Sequence, residues 1–302
     1  MITYGKFNLS NYADCLIVTD EKIANLYNIS GSNVYLLPRG EAAKTFEHAQ
    51  NLCRWFLQQN LGKDGKVVAV GGGSIGDTVG FACSIYKRGV SLLHVPTTLI
   101  AQIDSSIGGK TALDIDDTKN VVGSFYQADT LIDVSFLGTL SKKRYFDGLG
   151  ELLKYRMLSP AIDKLAHSNN MESIIKGCVT YKDELCQRDF TDQGPRKVLN
   201  FGHTIGHAME LSLGITHGHA VALGIYYEIV IAHKLGLCTK QYVDKWQREI
   251  TNLFDILPMN NKMMQIMQQD KKNKDGKIAF ILPTSFQPVY LTQQQIIDLL
   301  DD

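Results

Sequence analysis

KVVAVGGGSIGD, Lys66 to Asp77, runs from an apolar strand into a cluster of glycines and on toward a helix. Gly71, Gly73 and Gly76 spell G-x-G-x-x-G directly after that strand, where the first backbone N–H groups of a following helix can cradle a phosphate. The motif alone fixes no ligand. A dinucleotide pattern usually places an acidic residue about twenty positions later to hold a ribose, and this chain has SLLHVPTT there. Two readings stand: a turn that only packs a helix tightly on a strand, or a dinucleotide site in a variant α/β fold. In the second, Asp20 at the end of CLIVTD is the candidate ribose contact.

Outward from this turn, CLIVTD, NVYLLP, SLLHVPTT and TLIDV share the short apolar character of strands, with helical stretches at roughly residues 43–60 and 76–87 between some of them. The alternation predicts an α/β domain with a largely parallel sheet. After about Leu140 helical periodicities take over, as in YFDGLGELLKYRML, IIKGCVTYKDELCQRDF and AVALGIYYEIVIAHKLG. This shift marks a second, mainly helical domain. Near the end, KIAFILPTSFQPVYL suggests a small strand pair and TQQQIIDLL a last helix; residues 189–195 read as an exposed loop. The expected fold class is α/β + all-α, a Rossmann-like α/β domain over residues 1–140 followed by a mainly helical domain over 141–302.

The chain of 302 residues is 44% hydrophobic, enough for a large core, and its 31 basic residues balance its 31 acidic ones. No global field draws it to nucleic acid or to an anionic membrane, so an anion site must come from particular residues. Six scattered cysteines without a CxxC pair fit reduced thiols rather than a disulfide framework or a thiolate zinc site. MITYGKFNLSNYADC has no apolar signal core, and the apolar run 220–232 is too short for a bilayer and carries Glu228. The expectation is a soluble, cytoplasmic protein.

LNFGHTIGHAMELSLGITHGHA, Leu199 to Ala220, holds four of the eight histidines. His203 and His207 stand four apart on a helical face, and His217 and His219 follow a glycine-bearing turn that can fold them back. That is ligand-like spacing, although core or capping histidines are the alternative. Thr204 stands where a zinc peptidase motif carries its general-base glutamate, which makes that class a poor reading. A second polar segment, VPTTLIAQIDSSIGGKTALDIDDTKN (Val95–Asn120), offers Thr97 and Thr98 as hydrogen-bonding groups and Lys110, Lys119 and the earlier Arg88 as cations for a phosphate or carboxylate. Gly108 and Gly109 let the backbone approach a ligand there. Solvated surface lysines in a loop are the alternative.

In order along the chain, GGGSIGD, YKRG, PTTLIAQIDSSIGGKT, KNVVGSFYQ, GLGELLKY, RKVLNFGHTIGHAME and HGHAV make it resemble the 3-dehydroquinate synthases over roughly residues 16–283. The resemblance implies an N-terminal NAD-binding α/β domain and a helical metal-binding domain. It assigns Zn2+ (or Co2+) to Glu151, His203 and His217. NAD would be held by Asp20, Glu41, Lys44, Gly72, Gly73, Asp77, Thr97, Thr98, Lys119 and Thr139. The substrate would be held by Arg88, Asp104, Lys110, Asn120, Lys154, Lys182, Arg196, Asn200 and Lys271 or Lys272, with His207 acting in proton transfer. Four neighbouring histidines are then not four ligands, and His219 is left either behind the ligands or outside the site.

The chain departs from the family's common pattern at His219 and Asp192, where Glu is usual, at Asp114, where Asn is usual, and at Thr118, where Gly is usual. Its opening strands are abbreviated, and a homodimer is expected. The implied reaction turns 3-deoxy-D-arabino-heptulosonate 7-phosphate into 3-dehydroquinate and phosphate. It combines transient oxidation by NAD, phosphate elimination, re-reduction, ring opening and an intramolecular aldol closure, in the shikimate route to chorismate and the aromatic amino acids. The rivals are a sugar-phosphate cyclase of inosose or valiolone type, a metal-dependent polyol dehydrogenase, and a catalytically dead NAD-binding protein.

Overall fold

The computed structural model describes residues 1–116, 118–168, 170–269, 273–283 and 286–300. The chain gathers into two compact units, Met1–Tyr145 with Asn170–Thr191, and Phe146–Asn169 with Asp192–Asp302.

The first unit carries strands β1 (Ile2–Tyr4), β2 (Leu16–Asp20), β3 (Val34–Leu37), β4 (Lys66–Gly71), β5 (Ser91–Pro96), β6 (Lys110–Ile115), β7 (Thr118–Phe125) and β8 (Asp129–Ile132). Six of them form one sheet in the order β1-β8-β5-β4-β2-β3, parallel at every pairing. Helices α1 (Glu21–Tyr27), α2 (Phe46–Gln58) and α3 (Gly73–Ile85) connect successive strands. Leu16, Val18, Val67 and Ala69 pack with Leu52, Phe56 and Val79 on one side of the sheet, while Ile17, Val68 and Val70 pack with Ala24 and Phe136 on the other. Both faces are covered, which is why CLIVTD and KVVAV read as continuous apolar runs rather than alternating ones.

The helix expected at 76–87 begins three residues earlier, at Gly73, so its first turn lies inside the glycine cluster. The polar segment 95–120 is more ordered than a loop, because β6 and β7 pair as an antiparallel hairpin on Lys110↔Phe125. Periodicity places α6 (Met171–Arg188), which follows α4 (Lys142–Leu158) and α5 (Pro160–Ala166), in the helical domain, yet the structure gathers it with the α/β unit. It packs there against the turn Ala101–Ser105, and its buried Lys182 is tied to Asp104. Amphipathic spacing names a buried face but not what covers it.

The second unit is mainly helical: α5, most of α4, α7 (His203–Leu213), α8 (His217–Lys234), α9 (Lys240–Thr251), α10 (Asn261–Gln268) and α11 (Gln293–Leu300). The expected strand pair is present as β9 (Ile278–Ile281) and β10 (Pro288–Leu291). Its core joins Ile205, Met209, Leu223 and Ile231 of the α7–α8 hairpin to Met263, Phe280 and Ile296. Gly214, at φ +65°, closes α7 in the left-handed conformation and returns its N–H to the Glu210 carbonyl, which turns the chain into α8. Among the described residues no helix is long and apolar enough to cross a membrane.

Candidate active site

In the first unit the cofactor candidates collect at the carboxyl ends of the parallel strands. After β2 the chain leaves toward β3, and after β4 it leaves toward β5 on the opposite side. The crevice where neighbouring connections diverge is where open α/β sheets take their ligands. Asp20 ends β2, Gly71–Gly73 end β4, and Thr97 and Thr98 follow β5. The glycines leave room that side chains would fill: a Cβ on Gly72 would lie 3.1 Å from Thr98 Cγ2, and one on Gly73 would lie 2.9 Å from Ser105 Oγ. Ser105 Oγ is itself buried without a hydrogen-bond partner. Gly72 caps α3 without a side chain, so no capping side chain takes up the helix's first N–H groups.

The other candidates around this turn are tied to one another. Asp20 caps α1 by accepting from Ile23 N at 3.1 Å. Glu41 accepts from Ser74 Oγ at 3.0 Å. Lys44 is buried, 2.9 Å from Asp77 and 4.0 Å from both Glu41 and Asp114, and it donates to Asn120 Oδ1. Burial raises the Asp77 carboxyl to about 6 against the pull of Lys44. Asp114 also accepts from Asn120 N at 2.7 Å, so the acidic residue at this position secures the hairpin. Thr139 bonds Tyr27 Oη at 2.6 Å, and Lys119 lies exposed on β7. Of the substrate candidates in this unit, Lys182 donates to the Asp104 carbonyl at 2.7 Å and pairs with its carboxylate at 3.0 Å. Arg88, at φ +61°, and Lys110 are exposed.

In the second unit, Glu151, His203 and His217 converge, and their ligand atoms lie within 4.8 Å of one another. Glu151 Oε1 is 3.2 Å from His203 Nε2 and 3.0 Å from His217 Nε2. These separations are close to the ~3.3 Å edge of a tetrahedron drawn with bonds of about 2.0–2.1 Å. The far ring nitrogens are also engaged, His203 Nδ1 with the Phe201 carbonyl at 3.0 Å and His217 Nδ1 with Glu210 Oε2 at 3.0 Å. A proton held on each Nδ1 leaves each Nε2 lone pair for an ion. Glu151 Oε2 is buried without a hydrogen bond, although Lys154 Nζ stands 2.5 Å away as an ion pair. The donor set therefore fits a divalent cation, with one carboxylate and two imidazoles leaving further positions open.

Backbone crossings make the convergence possible. A Cβ on Gly150 would lie 1.8 Å from the Gly218 carbonyl oxygen, so α4 meets α8 where neither residue carries a side chain, one position from Glu151 and from His217. A Cβ on Gly224 would lie 1.9 Å from the Gly202 carbonyl oxygen, which brings α8 equally close to the start of α7. Both histidine ligands open a helix, where the dipole is positive and disfavours a cation. Buried carboxylates offset this: Glu228 accepts from Gly202 N at 2.7 Å, and Asp147 accepts from Gly218 N at 2.7 Å.

Burial opposes charge on His217, but hydrogen bonds to Glu151 and Glu210 raise it to about 10. Burial and the Lys154 charge lower His203. Burial would raise Glu151, but Lys154 and the two histidines hold it well below its ordinary range. His207 stands beside the cluster, its ring centroid 5.2 Å from that of His203 and 6.0 Å from that of His217. His219 turns away, stacked on Phe254 at 5.2 Å with Nε2 2.9 Å from the Asp255 carbonyl. Arg196 is 2% exposed, and Asn200 donates to the Lys197 carbonyl at 3.1 Å. Lys271 and Lys272 lie outside the described residues. Sequence reasoning passed over Asp147 and Glu210, and gave Ser105 no role. Helical spacing held the signal for the first two, since Asp147 precedes Glu151 by four and Glu210 follows His203 by seven.

An α/β unit with a glycine turn at a helix start and a helical unit with a Glu-His-His cluster around a buried carboxylate define a two-unit enzyme class suited to a cofactor and a metal. Residues 34–147 match the 3-dehydroquinate synthase N-terminal family and residues 145–273 the 3-dehydroquinate synthase C-terminal family. A 3-dehydroquinate synthase of Alkaliphilus metalliredigens is 36% identical over 99% of this chain and 92% of its own length. The chain belongs to the 3-dehydroquinate synthase family, within the sugar-phosphate cyclase superfamily. Among solved structures, a 2-epi-5-epi-valiolone synthase from Streptomyces hygroscopicus with NAD+ and Zn2+ bound superposes with a TM-score of 0.86 at 25% identity, covering 99% of this chain and 95% of its own. A 2-deoxy-scyllo-inosose synthase complexed with carbaglucose-6-phosphate, NAD+ and Co2+ gives 0.83 at 23% identity, with 99% and 95% covered, and shares the fold.

Proposed function

We propose that this protein is an NAD- and divalent-metal-dependent sugar-phosphate cyclase acting as a carbon–oxygen lyase on a phosphate ester. The observation that carries the reading is the Glu151–His203–His217 cluster, built on a fully buried carboxylate with each imidazole oriented through Nδ1. NAD supplies transient oxidation of a substrate alcohol, and the ion, Zn2+ or Co2+, supplies charge that acidifies that alcohol. The turn at Gly72–Gly73 and the first N–H groups of α3 hold the cofactor's phosphates, with Asp20, Glu41, Lys44, Asp77, Thr97, Thr98, Lys119 and Thr139 completing its site. Glu151, His203 and His217 hold the ion, and Lys154 keeps the Glu151 carboxylate ionised. His207 carries a proton at the cluster's edge. Arg88, Asp104, Lys110, Asn120, Lys182, Arg196 and Asn200 are the substrate-holding residues, acting through orientation and charge.

The substrate follows from two observations that differ. Sequence relatives at 34–37% identity are 3-dehydroquinate synthases, which supports the carboxylated 3-deoxy-D-arabino-heptulosonate 7-phosphate and a place in chorismate biosynthesis. Lys110, Lys182 and Arg196 are the cations that such a carboxylate and phosphate require. The structural likeness favours the other reading, a valiolone- or inosose-type cyclase whose sugar phosphate lacks the carboxylate. A cytoplasmic homodimer accords with the family. The deciding experiment is phosphate release from a panel of sugar phosphates with NAD and zinc. The heptulosonate phosphate reading expects release from that compound alone, without net NADH, abolished by a chelator and restored by zinc or cobalt. Release only from sedoheptulose 7-phosphate or glucose 6-phosphate establishes the alternative, and chelator-insensitive turnover sinks the metal assignment.

A further inference from the structure

His203 and His217 are held in different ways. His203 Nδ1 meets a backbone carbonyl, that of Phe201, two residues back, so its ring is fixed by its own turn of chain. His217 Nδ1 meets a side chain, Glu210 Oε2, seven residues earlier and on the other helix of the α7–α8 hairpin. The Glu210 side chain is 12% exposed, against 33% for His217, so the less exposed carboxylate holds the more accessible ligand. Position 210 lies on the stripe of α7 that also carries His203 and His207, one helical turn after His207.

We infer that Glu210 is the positioning residue of the metal centre: it accepts the Nδ1 proton of His217, fixes that tautomer, and so presents the Nε2 lone pair to the ion. The inference rests on the metal reading given above. A ring without this acceptor can place its proton on Nε2 or rotate, and either removes one of three ligands. A carboxylate partner also makes the imidazole a stronger donor, an effect a carbonyl supplies only weakly. Glu210 thereby governs affinity while making no contact with the ion.

The test uses full-length protein stripped with a chelator, with zinc affinity measured by competition against a chromogenic chelator and cobalt absorption as a second readout. Glu210→Ala weakens zinc binding about 10–100-fold and shifts the cobalt spectrum, the range expected for loss of such an outer partner. Glu210→Gln, whose amide oxygen still accepts from Nδ1, recovers most of the affinity, and NAD affinity is unchanged in both. If the alanine variant does not fold, Glu210→Met, of similar length and without an acceptor, carries the same expectation. A purely structural role would instead lower thermal stability and leave zinc affinity and the cobalt spectrum alike. Zinc affinity within twofold of the parent in the alanine or methionine variant overturns the inference. No zinc binding by the parent protein overturns the metal reading, and this inference with it.

Discussion

The two units hold charge clusters that are inversions of one another. In the α/β unit a buried cation, Lys44, stands among the carboxylates of Asp77, Glu41 and Asp114. In the helical unit a buried anion, Glu151, stands among Lys154, His203 and His217. The first cluster is closed on itself: Lys44 bonds Asp77 and Asn120 and its backbone carbonyl accepts from Asp114 N, so it ties the β6–β7 hairpin to α3 and to the turn before α2. The second is open, because two imidazoles aim Nε2 at one carboxylate oxygen. Charge density alone therefore does not mark the ligand. The region with aligned lone pairs is the one that fits a metal ion, and the glycine turn with an uncapped helix start, beside a self-satisfied cluster, is the proposed cofactor site.

The contrast breaks most severely at its anion. Glu151→Ala is expected to abolish zinc binding and turnover, and to lower stability by about 3–5 kcal/mol in urea unfolding, because it removes the carboxylate at the centre of a buried ion-pair cluster with Lys154, His203 and His217. Zinc binding retained at parental strength would show that the second cluster is only an ion-pair network. Next in size, His217→Ala should weaken zinc by more than about a hundredfold, whereas His219→Ala, whose ring sits on Phe254, should leave it unchanged. Equal losses in the two variants would mean that the wrong histidine has been assigned.

A smaller effect is expected at the turn. Gly73→Ala sets a Cβ 2.9 Å from Ser105 Oγ, and an overpacking penalty of about 1–3 kcal/mol should weaken NAD binding roughly tenfold by calorimetry, with zinc affinity unchanged. Loss of zinc in this variant would argue that the two regions do not act separately. The smallest effect is electrostatic. Asp77, raised to about 6 by burial, contributes stability that is complete below its ordinary 3.8 and is lost as pH rises through about 6. Glu151, depressed by Lys154, behaves oppositely, its contribution being present above 4.5 and lost only in stronger acid. Asp77→Asn should flatten the fall in stability between pH 4 and 6, and an unchanged slope would remove Asp77 as its source.

Much of this was legible in the residues. Strand runs bounded by turn residues located the sheet, because burial on both faces makes such runs continuous. The glycine cluster located the turn, and histidine spacing located α7. Beyond that, pattern had little to say. The hairpin β6–β7 was hidden because KTALDI and TKNVVGSF carry the polar and charged residues of an exposed ribbon. The place of α6 was hidden because its amphipathic face fits either unit equally well.

The sequence by itself determined the local chemistry: which segments become strand or helix, where glycine admits a close backbone, and which side chains can bind an ion. Those are properties of the chain over a few turns. The family resemblance grouped Glu151 with His203 and His217 and left His219 aside, but the tertiary structure alone shows how Glu151 meets histidines more than fifty residues away, how His219 turns aside onto Phe254, and that Glu210 stands behind His217. The α4–α8 crossing at Gly150 and Gly218 sets these relations. No periodicity along one helix specifies the angle and register at which a second helix crosses it.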